Sequence, residues 1–182
     1  MWRRTSRLAP IVFVAAFVFT LAPSAVLAEE GFSERITATW EATDSKQKAR
    51  QKINEEINAL VAKMFFIKRP FARSQLKGAT DPCDELTIAV GEEVVSIICN
   101  GKKPTVTEGK GEPKRWVSRE GEEYTITQKL EENRIVQTFD SGGGVRTNVY
   151  RLTDEETMVL DVTVESGKLP EPLTYSRTFQ KE

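Results

Sequence analysis

From Gly121 to Lys181 the chain alternates side chains of two kinds with a period of two, interrupted only at turns. A period of two puts successive side chains on opposite faces of a β-strand. Tyr124, Ile126, Gln128 and Leu130 share one face of the first segment, and Ile135, Gln137 and Phe139 share one face of the second. Ser141 to Gly144 turns the chain into Val145–Leu152. Met158, Leu160, Val162 and Val164 line the next strand, and Leu173, Tyr175, Arg177 and Phe179 the last. Strands joined by short turns are antiparallel neighbours. A meander of this length has to close or be covered, because open edges template pairing with other chains.

Upstream, Leu86–Val90 and Val94–Ile98 read as a hairpin turning at Gly91-Glu92, followed by the turn signal Asn100-Gly101. Thr105–Thr107 is a short strand, Glu108–Pro113 a mobile loop, and Arg115–Ser118 another short strand carrying Trp116. About eight strands suffice to close a barrel, and a barrel of that size is either filled by side chains or holds one small ligand. The expected fold is therefore α+β and mainly β: an N-terminal helix followed by an antiparallel meander β-barrel of about eight strands.

The helix is expected within residues 29–78, forming one compact unit with the barrel domain 79–182. Ile36 and Trp40 lie one helical turn apart, and Asp44 with Gln47 fits a capping box. Ile53, Ile57, Leu60, Val61 and Met64 make one apolar stripe, and Pro70 breaks the element amid Phe65, Phe66, Ile67 and Phe71. So much apolar surface predicts a helix that covers the domain's own core. A basic run, Lys46–Lys52, adjoins the stripe, so peripheral membrane contact is the lesser reading.

Residues 1–28 read as a signal peptide. Arg3, Arg4 and Arg7 precede the apolar run Leu8–Leu21, and Val26-Leu27-Ala28 fits a cleavage site after Ala28. The expectation is an exported protein, periplasmic or secreted. Removing 28 of 182 residues leaves 154, one ordinary domain, with 23 basic against 27 acidic side chains. That balance argues against nucleic acid as a partner. Oligomeric state is left open.

The chain contains no histidine. This removes Ser-His-Asp and Cys-His catalysis and histidine-based zinc sites. No catalytic residue, metal site or cofactor is expected, and the protein reads as a non-enzyme. The two cysteines, Cys83 and Cys99, face each other if the hairpin turn centres on Gly91, which predicts a disulfide in an oxidising compartment.

Polar residues on apolar faces are the candidate binding groups. Arg177 stands between Tyr175 and Phe179; Gln128 follows Tyr124 on its strand; Gln137 interrupts the next. A charge on an inner face is costly unless paired or bound to an anion. Arg177 is thus either a structural ion pair or a contact to a ligand head group. Arg177, Tyr175, Gln128, Gln137, Tyr124 and Phe179 together form the candidate site for a small hydrophobic ligand or lipid: apolar walls with a few convergent polar groups.

The last strand, Leu173-Thr-Tyr-Ser-Arg177-Thr-Phe179, with Gln-Lys-Glu after it, resembles the closing strand of the calycin group, the lipocalin-like and fatty-acid-binding barrels. The likeness extends over Leu86 to Lys181 as a strand pattern. Fatty-acid-binding proteins often end in Arg-x-Tyr, the pair that holds the ligand carboxylate. Arg177 matches the arginine, and Phe179 stands in the tyrosine position without the hydroxyl. The lipocalin Gly-x-Trp of the first strand has no match, since Trp40 falls in the stretch read as helical. The resemblance implies a lipocalin-like protein binding a hydrophobic or lipidic molecule non-covalently inside the barrel. The alternative is a structural or interaction module whose barrel is filled or plugged by the helix.

Overall fold

In the computed structural model the described residues are 31–119 and 121–182. Residues 1–28, read above as a signal peptide, lie outside them. Ten antiparallel strands form one sheet: β1 (Ala38–Ala42), β2 (Glu85–Val90), β3 (Val95–Cys99), β4 (Thr105–Thr107), β5 (Lys114–Val117), β6 (Glu123–Glu131), β7 (Arg134–Asp140), β8 (Val145–Leu152), β9 (Thr157–Glu165) and β10 (Leu173–Lys181). Their order in the sheet is β4-β3-β2-β1-β10-β9-β8-β7-β6-β5. Helix α1 is described over residues 31–36. Helices α2 (Lys46–Ala62) and α3 (Arg69–Ala79) form a hairpin around a 3-10 turn, Phe66–Lys68.

The meander from β6 to β10 follows the expected alternation, with neighbours in continuous register. Two expectations need correction. The described residues hold ten strands rather than about eight, and the helical hairpin is inserted after β1 instead of preceding the barrel. The residues between Ile36 and Ala42 explain the difference. Ile36 ends α1, and Trp40 lies in β1, where its indole still donates back to the Ile36 carbonyl at 3.0 Å. The four-residue spacing is satisfied across a helix-to-strand junction. β1 is paired on both sides, with β10 and with β2, and those ladders override local helical spacing.

The N-cap of α2 is Ser45, one residue after the expected Asp44; its hydroxyl accepts from the Lys48 amide at 3.3 Å. The stripe Ile53, Ile57, Leu60 and Val61 is buried in a single core shared with the barrel. At the opposite end of the barrel, α1 adds Phe32 and Ile36 to that core.

Cys83 and Cys99 are joined by a disulfide, with Cα atoms 5.5 Å apart. The register that predicted the bridge is different, however. Cys99 lies opposite Leu86, and Val90 opposite Val95, so the turn is not centred on Gly91 and Cys83 precedes the ladder. The Asn100 side chain gathers this corner by accepting from the amides of Asp84 at 2.7 Å and Glu85 at 3.0 Å.

The barrel is nearly closed. Its terminal strands, β4 and β5, are joined by side chains rather than a ladder: Lys103 Nζ donates to Val117 O (2.6 Å), Lys114 Nζ to Val106 O (3.1 Å) and Trp116 Nε1 to Pro104 O (3.1 Å). The segment read as a loop supplies backbone closure. Gly109 O accepts from Leu130 N at 2.7 Å, and Gly111 N donates to Gln128 O at 2.8 Å. Gly109 sits at φ +73°, and a Cβ there would come within 2.8 Å of Val95 Cγ2. Only glycine lets the seam approach this closely.

Candidate functional site

The strand register places several predicted residues on one rung. Gln128 on β6 is opposite Gln137 on β7, which is opposite Asn148 on β8; Asn148 is opposite Val162 on β9, and Val162 is opposite Tyr175 on β10. The expected residues Gln128, Gln137 and Tyr175 are thus aligned on the inner face.

The two glutamines anchor a buried polar network. Gln137 Nε2 donates to Thr105 Oγ1 at 2.8 Å, and Gln128 Nε2 donates to the same oxygen at 3.3 Å. The Thr105 hydroxyl itself donates to Ile97 O (3.1 Å). Thr107 Oγ1 donates to Gln128 Oε1 at 2.8 Å. On the other side, Gln137 Oε1 accepts from Tyr150 OH (2.8 Å) and Asn148 Nδ2 (3.1 Å). Asn148 Oδ1 accepts from Arg146 Nε (2.9 Å), and Arg146 Nη1 donates to the Ala79 carbonyl at the end of α3 (3.0 Å). The chain of bonds runs from the helical cap to the closing seam. Burial of Tyr150 pushes its phenol up to about 12, against a smaller downward pull from Arg146.

Thr105, Thr107, Asn148 and Tyr150 were not singled out from the sequence. For Asn148 and Tyr150 the signal was present: with Arg146 they form one face of β8, opposite Thr147 and Val149. Thr105 and Thr107 are recognisable only once the seam is closed.

Below the network the interior is packed. The glutamines themselves are closed in, Gln128 at 0% and Gln137 at 1% exposed, and Ile135, Met158 and Phe179 beyond them are 0% exposed; Ile126, opposite Phe139 on the mouth side, is 0% exposed as well. A ligand-sized space would leave its lining accessible to a water-sized sphere, so these residues fill the barrel with side chains. Above the network the mouth is different. Trp116, Tyr124 and Phe139 are inward-facing yet half-buried. Trp116 is opposite Tyr124, and the three ring centroids are 6.0 to 6.1 Å apart in tilted and edge-on arrangements. The Tyr124 hydroxyl donates to Glu122 Oε2 at 2.6 Å. Lys103 Nζ stands 5.5 Å from the Trp116 ring centre, and Arg146 lies opposite Phe139. This end of the barrel offers an aromatic wall, a cation beside it and a polar floor.

Arg177 lies apart from that group. Arg177 is 5% exposed, and its guanidinium is engaged by protein acceptors. Nε and Nη2 reach Asp44 Oδ1 at 3.2 and 2.8 Å, Nη2 reaches Asp44 O at 3.1 Å, and Nη1 reaches Cys83 O at 2.6 Å and Asp84 Oδ1 at 3.4 Å. Its Cζ also lies 5.5 Å from the Phe179 ring centre. The Tyr175 hydroxyl, also on the inner face, is buried and has no hydrogen-bond partner among the described residues.

No protein-family model matches the sequence, and no curated protein matches it. Solved structures do. A mutant of the fluorescent protein UnaG is 16% identical, with 82% of this chain and 97% of that one covered at a TM-score of 0.50. Fatty-acid-binding protein 1 of Echinococcus granulosus is 17% identical over 81% of this chain and 98% of that one, TM-score 0.49. Lipid binding protein 8 of Caenorhabditis elegans is 14% identical over 82% and 96%, TM-score 0.48. At these identities the likeness is one of fold. The chain resembles the calycin barrels in architecture, as its last strand implied.

Proposed function

We propose that this chain is an exported, non-enzymatic binding protein that takes a small hydrophobic or lipidic molecule non-covalently at the capped mouth of its barrel. The observation that carries the reading is the half-buried triad Trp116, Tyr124 and Phe139, which faces inward above a packed floor. Aromatic surface held inside a mouth yet incompletely covered is what an apolar ligand would cover. The unpartnered Tyr175 hydroxyl adds a polar atom that a ligand group would satisfy.

The test is titration of the purified chain with a fluorescent fatty-acid probe, alongside mass spectrometry of an organic extract. Binding is expected to perturb Trp116 emission, and Phe139→Ala is expected to weaken the probe by about tenfold, the scale of one buried aromatic contact. Absence of both probe binding and co-purified lipid overturns the reading.

The packed interior favours a second reading, an interaction module whose barrel serves only as a scaffold. It predicts that Phe139→Ala alters stability while no small apolar molecule binds the parent.

A further inference from the structure

Phe65, Phe66, Ile67 and Phe71 are 64%, 65%, 68% and 62% exposed at the turn between α2 and α3. The stripe on α2 is buried as expected, but these four residues cover none of the core. The Phe65 and Phe66 rings lie 4.9 Å apart, and Ile67 and Phe71 add two more exposed apolar side chains within the same turn. Contiguous exposed apolar surface of this kind marks a contact site.

The turn that presents the patch is built. Arg69 Nη2 donates to Ala62 O at 2.7 Å and its Nε to Met64 O at 2.9 Å, closing the carbonyl end of α2. Lys68 N donates to Phe65 O at 2.9 Å, and Pro70 sits in the first turn of α3. Lys63 Nζ pairs with Glu171 in the β9–β10 connection at 2.5 Å, so the tip stands over the capped end of the barrel.

Charge along the chain through the tip is one-sided, with Glu171 offsetting only Lys63. From Ile57 to Thr80 the chain carries Lys63, Lys68, Arg69, Arg73 and Lys77 and no acid, whereas the rest of the sequence has 21 basic against 27 acidic residues. Arg69 and Arg73 hydrogen-bond neutral acceptors, carbonyls and Asn58 Oδ1, rather than carboxylates. Exposed aromatics flanked along the chain by cations complement a surface that is apolar just below an anionic face. α2 has 17 residues and α3 has 11, short of the about 20 that a membrane span needs.

We infer that the Phe65–Phe71 tip docks on anionic lipid bilayers, with the aromatic side chains inserted among the acyl chains and Lys68, Arg69 and Arg73 at the head groups. This goes beyond the binding of a ligand in the mouth and does not depend on it.

The test is flotation of the purified chain with vesicles of phosphatidylcholine alone and with vesicles of equal parts phosphatidylcholine and phosphatidylglycerol. Binding is expected to the anionic vesicles and to fall as salt rises. Phe66→Ser is expected to weaken it by about tenfold or more, from the loss of one buried aromatic ring. Lys68→Glu is expected to weaken it on anionic vesicles alone. Both positions are exposed, so both variants should melt with the parent. Phe139→Ala should bind vesicles as the parent does, which separates this inference from the mouth reading. Absence of anionic-vesicle binding, parental binding by Phe66→Ser, or a dimer abolished by Phe66→Ser that covers the patch in its place would each overturn it.

Discussion

Gln137 on β7 and Thr105 on β4 share a hydrogen bond of 2.8 Å although their strands are far apart in the sheet order. The bond crosses the inside of the barrel beside the seam that backbone pairing leaves incomplete. Thr105 Oγ1 accepts from two amides and donates to a carbonyl, so its hydroxyl is fully used. Thr105→Val keeps the shape but leaves the Gln128 and Gln137 amide groups short of an acceptor. Each unsatisfied buried group costs about 1–3 kcal/mol. The expected loss is about 2–4 kcal/mol in urea unfolding, with Thr105→Ser retaining most of the stability. Equal midpoints for Thr105→Val and parent would show that the glutamines find other partners.

Tyr150 gives the network a pH signature. Its ordinary value is 10.0 and burial raises it to about 12, so the folded state favours the protonated phenol. Between those values the unfolded chain releases this proton while the folded chain holds it. Stability from this group is therefore complete below pH 10 and declines as pH rises toward 12. Two pKa units correspond to roughly 2.7 kcal/mol. In Tyr150→Phe this part of the alkaline loss should vanish, at a cost of about 1 kcal/mol at neutral pH for the lost bond to Gln137. Denaturant midpoints of both proteins from pH 8 to pH 11 would show parallel curves if Tyr150 does not contribute.

The meander was legible because β6 to β10 are long, most of their inner positions are apolar at a period of two, and their short turns fix neighbour order. β1 was not, because five residues are too few to establish a period and Ile36 with Trp40 satisfy helical spacing as well. The insertion of the helices after β1 follows from pairing at Ala38–Ala42, which no local pattern reveals. Gln128, Gln137 and Tyr175 could be placed on inner faces from alternation alone. Their alignment on one rung, and the meeting of both glutamines with Thr105, depend on register and closure. The exposure of Phe65, Phe66, Ile67 and Phe71 was likewise hidden, since apolar sequence does not say whether the surface it makes is covered.

The disulfide closes a 16-residue separation at the corner that feeds β2. In the chain-entropy account, Cys83→Ser with Cys99→Ser should cost about 3 kcal/mol. The bridge also holds the Cys83 carbonyl that Arg177 Nη1 meets at 2.6 Å. Removing the bridge and replacing Arg177 should then be non-additive, because both act on the same corner. A double-mutant cycle in urea reads the coupling, and strict additivity would show that Cys83 is held in place without its bridge.

Arg177 distinguishes a structural ion pair from a ligand contact through two separate measurements. Asp44 is 16% exposed at its side chain and receives both Nε and Nη2, while Asp84 at 40% remains solvent-screened. Truncating one partner of a buried pair costs about 3–5 kcal/mol, because the other charge is left uncompensated. With Asp84 screened, Arg177→Met is expected at the lower end, about 3 kcal/mol. Asp44→Asn should lose less, since the Asp44 and Cys83 carbonyls still accept from the guanidinium. Arg177→Lys should recover little, because one ammonium cannot reproduce the fork that spans Asp44 and Cys83. Fatty-acid probe affinity, measured where each variant is folded, should be unchanged. The opposite result, parental stability in Arg177→Met with weakened probe binding, would place a ligand anion at the guanidinium instead.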